Sequence, residues 1–517
     1  MSVTYPGAID RAPMFRVSLI LEALRSRPVL MFWVAALAQG ALWTLVPSLF
    51  YAAPPGDLPL VLAVGNEWLL GSPYGPPLAY WLADMAYTLA GGRVIGLYVL
   101  SQLCVVVTYW AVFGLGRRIV GTAHAAMAIL LMAGISVFTV PTLEFGPVVL
   151  AMPLTALTLL FGYRALADNR RGDWIAAGVA LGLLLLTTYA GLILLALMTL
   201  FVAATARGRS RLGSIGPWAA AVVVLIINLP HLYWLQRTGW SPLPTLSALP
   251  NLIVAEKRLM AWANLVLLLL FSHAGLVVLL LVAGGLFAGK RASAPAVERL
   301  PVEPFAKSFV YFFALAPAFV ATLLAVLLER RAPIGGAGPL VVLSGLAVVV
   351  AAGDMIRLYR QRISALVWLG LLVVPPAVIV AATVTLPWTA AVDLKVSKPA
   401  SAMGQFFTET FRRRTGRPLA IVVGDVRTAG LVALASSDRP SVYIDASPAL
   451  SPWLSDAAVL EKGAILTWTA TDAAGTPPAP LKARFPDLVA EVPRSFDRSV
   501  QGRLPLLRIG WAMIRPR

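Results

Sequence analysis

The most informative stretch of this chain is residues 51–93, YAAPPGDLPLVLAVGNEWLLGSPYGPPLAYWLADMAYTLAGGR. They form a loop, rich in proline and glycine, between two hydrophobic segments, and they carry Asp57, Glu67 and Asp84. A carboxylate held at a membrane surface beside an apolar wall can take a proton from a hydroxyl group there. We therefore expect the chemistry of this protein to take place at this loop.

The composition is that of a polytopic membrane protein. Of the 517 residues, 59% are hydrophobic and 13% are charged, and the mean hydropathy is +0.80. Soluble domains of this size do not reach such values. The net charge of +18 invites a nucleic-acid interpretation. The basic residues, however, occur in short clusters between apolar runs, as cytoplasmic membrane anchors do, so nucleic acid is not an expected partner.

A membrane span needs about 20 apolar residues. This criterion predicts about eleven transmembrane helices, near residues 28–50, 94–115, 119–140, 147–166, 174–188, 190–206, 217–236, 259–287, 308–328, 340–353 and 364–387. The count depends on residues 174–206, which are too long for one span and have arginines at both ends. We interpret them as two short helices that turn near Thr187, Thr188 and Gly191.

The distribution of charge predicts the orientation. With eleven spans, most basic clusters fall on one side, at residues 11–27, 117–118, 164–171, 207–211, 290–307 and 357–362. By the positive-inside rule this side is the cytoplasm. The N-terminus is then a retained cytoplasmic tail, and we expect the protein to lie in the bacterial cytoplasmic membrane. The loop 51–93 and everything after residue 387 face outward.

The sequence changes character at Trp388 and predicts a division into a membrane domain, 1–387, and a periplasmic α/β domain, 388–517. Apolar runs at 419–424, 441–445, 464–468 and 506–514 look like buried strands, and helical stretches near 402–415, 427–436 and 453–462 alternate with them. Such alternation is typical of an α/β layer, which we place against the outer membrane face.

Two short amphipathic helices are predicted inside the outward loop. GDLPLVLAVGNEWLLG and PPLAYWLADMAYTLAG each repeat apolar residues at helical spacing. Helices that lie in the membrane interface would give the loop a fixed shape and hold Asp57 at the boundary between headgroups and water.

The loop resembles that of the GT-C glycosyltransferases. The similarity rests on Asp57, on Glu67 ten residues later and on PPLAYWL at 76–82. The branch it is most similar to contains the protein O-mannosyltransferases and the lipid A aminoarabinose transferases. PTLEFGP (141–147), NLPHLYWL (228–235) and the C-terminal tail give weaker support.

The resemblance implies an enzyme that uses a polyprenyl-phosphate sugar as donor. The sugar would move to a lipid or glycan acceptor (lipid A, another glycolipid, a polysaccharide) or to a protein, outside the cytoplasmic membrane. It also implies that Asp57 is the general base of an inverting displacement. A positioned carboxylate contributes a factor of about 10² to 10⁴ in such a step, and the phosphate leaving group needs no acid.

The chain departs from the family at several positions. Tyr74 and Gly75 replace a charged pair before the two prolines, and Thr188 stands where many relatives have a lysine. Glu144 remains the only acid of its motif, because Gly146 and Pro147 follow Phe145. Either phosphate recognition comes from elsewhere, or the protein uses an altered donor or acceptor, or it is catalytically impaired. The predicted binding residues are Glu144, Tyr74, Trp81, His231, Arg237, Lys257, Arg258, Arg330 and Arg331.

Several roles stay open at this stage. Asp57 can also act as a helix N-cap, because Gly-Asp before Leu-Pro-Leu is a good capping sequence. Glu67 is either a solvated residue or a second catalytic group that orients the site, and His231 is a packing histidine or a ligand. The three histidines are not spaced as a metal site, but a divalent cation near Asp57 is left open. The proline-rich loop 240–250 is a candidate lid.

Two other functions compete with sugar transfer. A lipid or glycolipid transporter or flippase would place ionisable residues near the middle of the membrane. In this chain the acids gather instead at the outer edge, which favours surface chemistry. A catalytically impaired assembly subunit is the other alternative, because the charged pair before the prolines is missing.

Overall fold

The computed structural model describes residues 26–240, 255–283, 296–357, 361–472 and 474–517. The N-terminal tail and most of the predicted lid, 241–250, lie outside the described residues. The helices of the membrane part are α1 Pro28–Phe50, α2 Leu58–Gly65, α3 Leu78–Leu89, α4 Ile95–Ile119, α5 Thr122–Met132, α6 Pro147–Asp168, α7 Arg171–Leu185, α8 Gly191–Ala204, α9 Ala206–Leu212, α10 Ile215–Arg237, α11 Ala255–Ser272, α12 Ala274–Ala283, α13 Pro304–Leu327, α14 Ala337–Leu340, α15 Ser344–Ala351 and α16 Gln361–Thr389.

The chain is a multi-pass membrane protein. Among the described residues, six helices are long and apolar enough to cross a bilayer, and up to nine spans result if each bent helix pair counts as one. The count of eleven stays a prediction. Residues 174–206 do form two short helices, α7 and α8, with a break between Leu185 and Gly191. At this break, the Leu186 carbonyl accepts a hydrogen bond from the Leu78 amide of the outward loop.

The predicted span 119–140 is not one straight helix. Helix α5 ends at Met132, and the chain turns by 85° into short 3₁₀ segments at Ser136–Phe138 and Val140–Leu143. The Gly134 carbonyl accepts a hydrogen bond from the Leu276 amide, 3.1 Å away. A side chain at position 134 would collide with the Gly275 backbone. This close contact between α5 and α12 fixes the bend that brings Glu144 to the outward loop.

Among the described residues, two ion pairs join predicted cytoplasmic segments at one end of the helix bundle. Arg118 at the end of α4 pairs with Asp168 at the end of α6, 2.7 Å apart. Arg207 of α9 pairs with Glu303 just before α13. The loop 51–93 and the break between α7 and α8 lie at the opposite end. The structure thus agrees with the predicted grouping of loops, and the side of the membrane that each end faces stays a prediction.

Residues after α16 form a five-stranded mixed sheet with flanking helices. Its strands and helices are α17 Ala400–Thr415, β3 Ile421–Gly424, α18 Val426–Ala435, β4 Ser441–Ile444, α19 Asp456–Lys462, β5 Ala464–Thr469, α20 Ala479–Arg484, β6 Ala490–Phe496 and β7 Leu507–Ile514. The strand order is β4-β3-β5-β7-β6, in which β3 pairs in parallel with β4 and β5, and β7 pairs antiparallel with β5 and β6. The four strands that the sequence indicated are present. Strand β6 was not predicted, because most of its residues are exposed and it lacks a buried apolar run. A two-stranded ladder, β1 Ala296–Glu298 with β2 Met355–Arg357, lies in the membrane part.

We call residues 388–517 the C-terminal unit, and this unit packs on the outward loop. Helix α18 approaches α2 so closely that a side chain at Gly430 would lie 2.9 Å from Pro59 Cβ. The Tyr87 hydroxyl donates to the Leu434 carbonyl at 2.8 Å. Arg439 donates to Asp84 at 2.7 Å and stacks over the Tyr87 ring. The proposed boundary at residue 387 stays a prediction, since α16 continues to Thr389.

Asp84 holds this junction, and its removal tests how much the junction contributes. Its carboxylate accepts from Trp68 Nε1 at 2.9 Å and from Arg439 Nη2, and its side chain is 10% exposed. We expect Asp84→Ala to lower the free energy of unfolding by about 2–3 kcal/mol, because a partly buried guanidinium loses its partner. The free energy can be measured by denaturant titration of the full chain in detergent.

The control is Asp168→Ala, which breaks the pair with Arg118, whose side chain is 38% exposed. An exposed pair is worth less than about 1 kcal/mol. Equal losses in the two variants would contradict the importance of the Asp84 junction.

Candidate functional site

Asp57 lies at the start of α2 but does not cap it. The residue is in the N-cap position, with φ −96° and ψ 10°, and its side chain makes no capping hydrogen bond. Among the described residues its carboxylate has no hydrogen-bond or ion-pair partner, and the residue is exposed. The capping alternative therefore does not explain this acid, and its carboxylate is free to accept a proton.

Glu144 lies directly against Gly56, the residue before Asp57. It follows the 3₁₀ segment Val140–Leu143, and a Cβ at Gly56 would overlap its carboxylate. Gly56 has φ +54°, a left-handed conformation that glycine adopts most easily. Burial raises the pKa of Glu144, and the negative charge of Asp57 raises it further, while Lys395 and Arg427 oppose the shift. Glu144 is thus the predicted binding residue that the structure joins to Asp57.

The C-terminal unit supplies two cations to this pair of acids. Arg427 Nη2 donates to the Gly56 carbonyl at 2.6 Å, whereas its buried Nη1 has no partner among the described residues. Asp425 caps α18 by accepting from the amides of Arg427 and Thr428. Lys395 begins a short 3₁₀ segment. The Val396 carbonyl that follows accepts from the amides of Ala52 and Ala53 at 2.9 and 3.0 Å.

A line of tyrosines leads from Asp57 towards the membrane spans. Tyr80 is buried, and its hydroxyl donates to the Tyr74 carbonyl at 3.2 Å. Burial raises the pKa of Tyr80, and Tyr74, Tyr189 and Asp57 raise it further, so all three lie within electrostatic range of its hydroxyl. Trp81 donates to the Leu69 carbonyl and stacks on Trp68, which stabilises the turn between α2 and α3.

An apolar cavity of about 660 Å³ begins at Tyr189. It lies between α6, α7, α8 and α10 and extends to Trp174 and Leu212 near the basic end of the bundle. Its few polar lining groups include Asn228 and His231. A cavity of this length and polarity has the properties needed to hold an extended hydrocarbon chain.

Glu67 lies at the opposite end of α2 from Asp57. The eight-residue helix that lies between the two acids is about 12 Å long. Burial raises the pKa of Glu67, and hydrogen bonds from Ser441 and Asn66 and the charge of Lys462 oppose the shift. Glu67 therefore faces the C-terminal unit rather than Asp57. A role for it in catalysis stays a prediction.

His231 and the predicted cations lie at the same end of the bundle as Asp57 but do not contact it among the described residues. Both ring nitrogens of His231 have partners, the Leu70 carbonyl at 2.8 Å and the Tyr189 hydroxyl at 3.1 Å, which favours the packing role. Among the described residues, none of the five cations contacts Asp57. Arg237 binds the Tyr233 hydroxyl, Arg258 lies 4.0 Å from Glu329, and Lys257, Arg330 and Arg331 are exposed.

Sequence reasoning missed Gly56, Lys395 and Arg427. Arg427 had a detectable signal, because it lies three residues after the parallel strand β3, and functional residues often follow the carboxyl ends of such strands. A metal site receives no support from the side chains. In the part of the chain that the structure describes, no three His, Cys, Asp or Glu residues come close enough to hold an ion.

Two sequence comparisons point to glycosyltransferases. A sequence model of the dolichyl-phosphate-mannose-protein mannosyltransferase family matches residues 74–234. The lipopolysaccharide core galacturonosyltransferase RgtB of Rhizobium johnstonii is 29% identical over 182 residues, which are 34% of this chain and 36% of the relative. The match thus spans little more than a third of that curated relative.

The fold is shared with a solved membrane protein. ArnT from Cupriavidus metallidurans bound to undecaprenyl phosphate superposes with a TM-score of 0.54 at 13% identity, over 94% of this chain and 97% of that one. The apo structure of ArnT gives 0.48 at 14% identity, with the same coverage. The resemblance to the GT-C superfamily glycosyltransferases is therefore confirmed, in sequence over 74–234 and in fold over most of the chain.

The coupling between Asp57 and Glu144 can be tested by titration. We expect Asp57→Asn to lower the pKa of Glu144, because a neighbouring negative charge disappears. Lys395→Ala should raise it, because a neighbouring positive charge is lost. The measurement is an infrared pH titration of the carboxylate bands, with Glu144→Gln identifying the Glu144 signal.

The sign for stability follows from the same shift. An acid with a raised pKa in the folded state binds its proton more tightly than it does in the unfolded chain. The free energy of unfolding therefore falls as the pH rises through that pKa. Asp57→Asn should reduce this cost. A Glu144 titration that is unchanged in Asp57→Asn would show that the two carboxylates do not interact.

Proposed function

We propose that this chain, whose sequence and fold resemble the GT-C superfamily glycosyltransferases, transfers a sugar from a polyprenyl-phosphate donor to an acceptor. The reaction takes place at the outer face of the bacterial cytoplasmic membrane, and the C-terminal unit lies in the periplasm. The observation that carries this proposal is the carboxylate of Asp57, which has no partner in the described part of the chain. It lies at the end of the helix bundle, near Glu144 and a line of tyrosines that ends at an apolar cavity.

Asp57 acts as the general base of an inverting displacement. Its carboxylate takes the proton of an acceptor hydroxyl while the hydroxyl oxygen bonds to the anomeric carbon of the sugar. The bond between that carbon and the phosphate oxygen breaks on the opposite face, and polyprenyl phosphate leaves with the electron pair. Because a phosphate is already a good leaving group, the site needs a base but no acid.

The apolar cavity is suited to the donor's lipid tail. It runs along α7, α8 and α10, and its outer end at Tyr189 and His231 adjoins the loop that carries Asp57. A polyprenyl chain placed there would bring its phosphate to the end of the bundle. Tyr74, Trp81, Arg237, Lys257, Arg258, Arg330 and Arg331 remain proposed contacts of the donor or of the acceptor, which is lipid A, another glycolipid, a polysaccharide or a protein.

The position of the acids favours transfer over transport. The six long spans carry a single acidic residue, Asp168, which is the last residue of α6. Among the described residues, the middle of these spans therefore lacks the carboxylates that would bind ions or polar substrates during transport. Chemistry at the outer end agrees better with this distribution.

Replacement of Asp57 tests the base directly. We expect Asp57→Asn to lower kcat for sugar transfer by a factor of about 10² to 10⁴, because the amide cannot accept the proton. The KM for the donor should change little. The assay follows radiolabelled sugar from polyprenyl-phosphate donors into membrane lipid and glycan fractions.

Two further carboxylates calibrate this result. Glu409→Gln changes an exposed acid on the C-terminal unit and should retain wild-type turnover. Glu67→Gln should reduce kcat by less than about tenfold, because Glu67 lies at the other end of α2. Full activity in Asp57→Asn would remove Asp57 from the mechanism, and a loss of 10² in Glu67→Gln would restore Glu67 as a catalytic group.

The cavity can be tested by donor chain length. Ala221 lines it on α10, and Ala221→Trp should fill part of the space and raise the KM for long polyprenyl donors about tenfold. Donors with a ten-carbon tail should be affected much less. Leu229→Trp on the same helix, outside the cavity lining, is the matched control. Equal effects on both chain lengths would place the lipid tail elsewhere.

A further inference from the structure

Asp57 is oriented through its backbone rather than through its side chain. Its carboxylate has no partner among the described residues, so the geometry of the base depends on the peptide that precedes it. That peptide belongs to Gly56, which is in a left-handed conformation. The Gly56 carbonyl accepts a hydrogen bond from Arg427, and the Glu144 carboxylate packs against its Cα.

Arg427 reaches this peptide from a distant part of the chain. It lies 371 residues after Gly56, in the first turn of α18, and Asp425 fixes its backbone by capping that helix. Its guanidinium also lies near Glu144, whose negative charge it offsets together with Lys395. One side chain of the C-terminal unit therefore binds the Gly56 carbonyl and lies within electrostatic range of Glu144.

We propose that Arg427 is a positioning residue for Asp57, so that the C-terminal unit completes the catalytic site instead of merely covering it. This inference rests on the proposed function, in which Asp57 is the base. Arg427 holds the carbonyl of Gly56, the residue against which the Glu144 carboxylate packs. The Asp57 carboxylate is thereby left unpaired and directed at the acceptor.

Docking of the C-terminal unit does not require this arrangement. The junction already contains the Arg439–Asp84 pair, the hydrogen bond from Tyr87 to Leu434 and the packing of Gly430 on Pro59. Among the described residues, Arg439 pairs with Asp84, whereas the Arg427 guanidinium donates to the Gly56 carbonyl.

The test compares Arg427→Ala, Arg427→Lys and Arg439→Ala in the full-length protein. We expect Arg427→Ala to lower kcat at least 30-fold with the donor KM within threefold of wild type, and Arg427→Lys to recover part of this loss. Arg439→Ala should lower the thermal unfolding midpoint at least as much as Arg427→Ala does, yet reduce kcat less than threefold.

The pH titration of Glu144 separates positioning from general loosening. The charged and titratable groups that face Glu144 are Asp57, Tyr51, Lys395 and Arg427. Removing the arginine takes away a positive charge, so Glu144 keeps its proton to a higher pH. The infrared pH titration of Glu144 should therefore move to higher pH in Arg427→Ala and stay in place in Arg427→Lys and Arg439→Ala.

Amide hydrogen exchange gives a readout that does not depend on activity. Exchange in a peptide covering residues 52–58 should be faster in Arg427→Ala than in wild type, and unchanged in Arg439→Ala. Wild-type exchange and kcat in Arg427→Ala would overturn the inference, and so would equal kcat losses with equal Glu144 titrations in the alanine variants of Arg427 and Arg439. If the wild type transfers no sugar, the proposed function fails, while exchange at 52–58 still decides whether Arg427 holds Gly56.

Discussion

The structure of the site depends on one constrained peptide group, that of Gly56. Its left-handed backbone turns the chain into α2, its carbonyl is bound by Arg427, and its Cα is covered by the Glu144 carboxylate. A carboxylate that must accept a proton cannot be held by a salt bridge without losing its basicity. Holding the neighbouring peptide instead orients Asp57 and leaves its oxygens free.

The membrane part contributes by breaking its helices at defined positions. The contact between Gly134 and Gly275 ends α5 early and carries Glu144 to the outward loop. The break between α7 and α8 places Tyr189 beside Tyr80 and opens the apolar cavity. Continuous helices at these two positions would separate the acids from each other and from the space for a lipid tail.

The positive charges of the site show where sequence reasoning stops. Of the five cations selected from the sequence, Arg237 ends α10, Lys257 and Arg258 lie in α11, and Arg330 and Arg331 follow α13. Among the described residues none of them contacts Asp57. The cations that do approach the acids, Lys395 and Arg427, follow α16 and β3. The pattern of charges along the sequence predicts on which side of the membrane a residue lies, but it does not predict which residues come into contact. Contact between residues 56 and 427 depends on how α18 packs on α2.

The sequence alone was sufficient to predict the membrane character, the helical break near Thr187, four of the sheet strands and Asp57 as an acid at the end of a span. These features follow from local hydrophobicity and residue type, which act over a few turns of chain. Tertiary structure alone decided that Glu144 lies beside Asp57, that Glu67 faces the C-terminal unit and that Arg427 binds the Gly56 carbonyl. The reason is physical. These contacts join residues that lie far apart in the sequence and come together only when their helices pack, and no local sequence pattern encodes that packing.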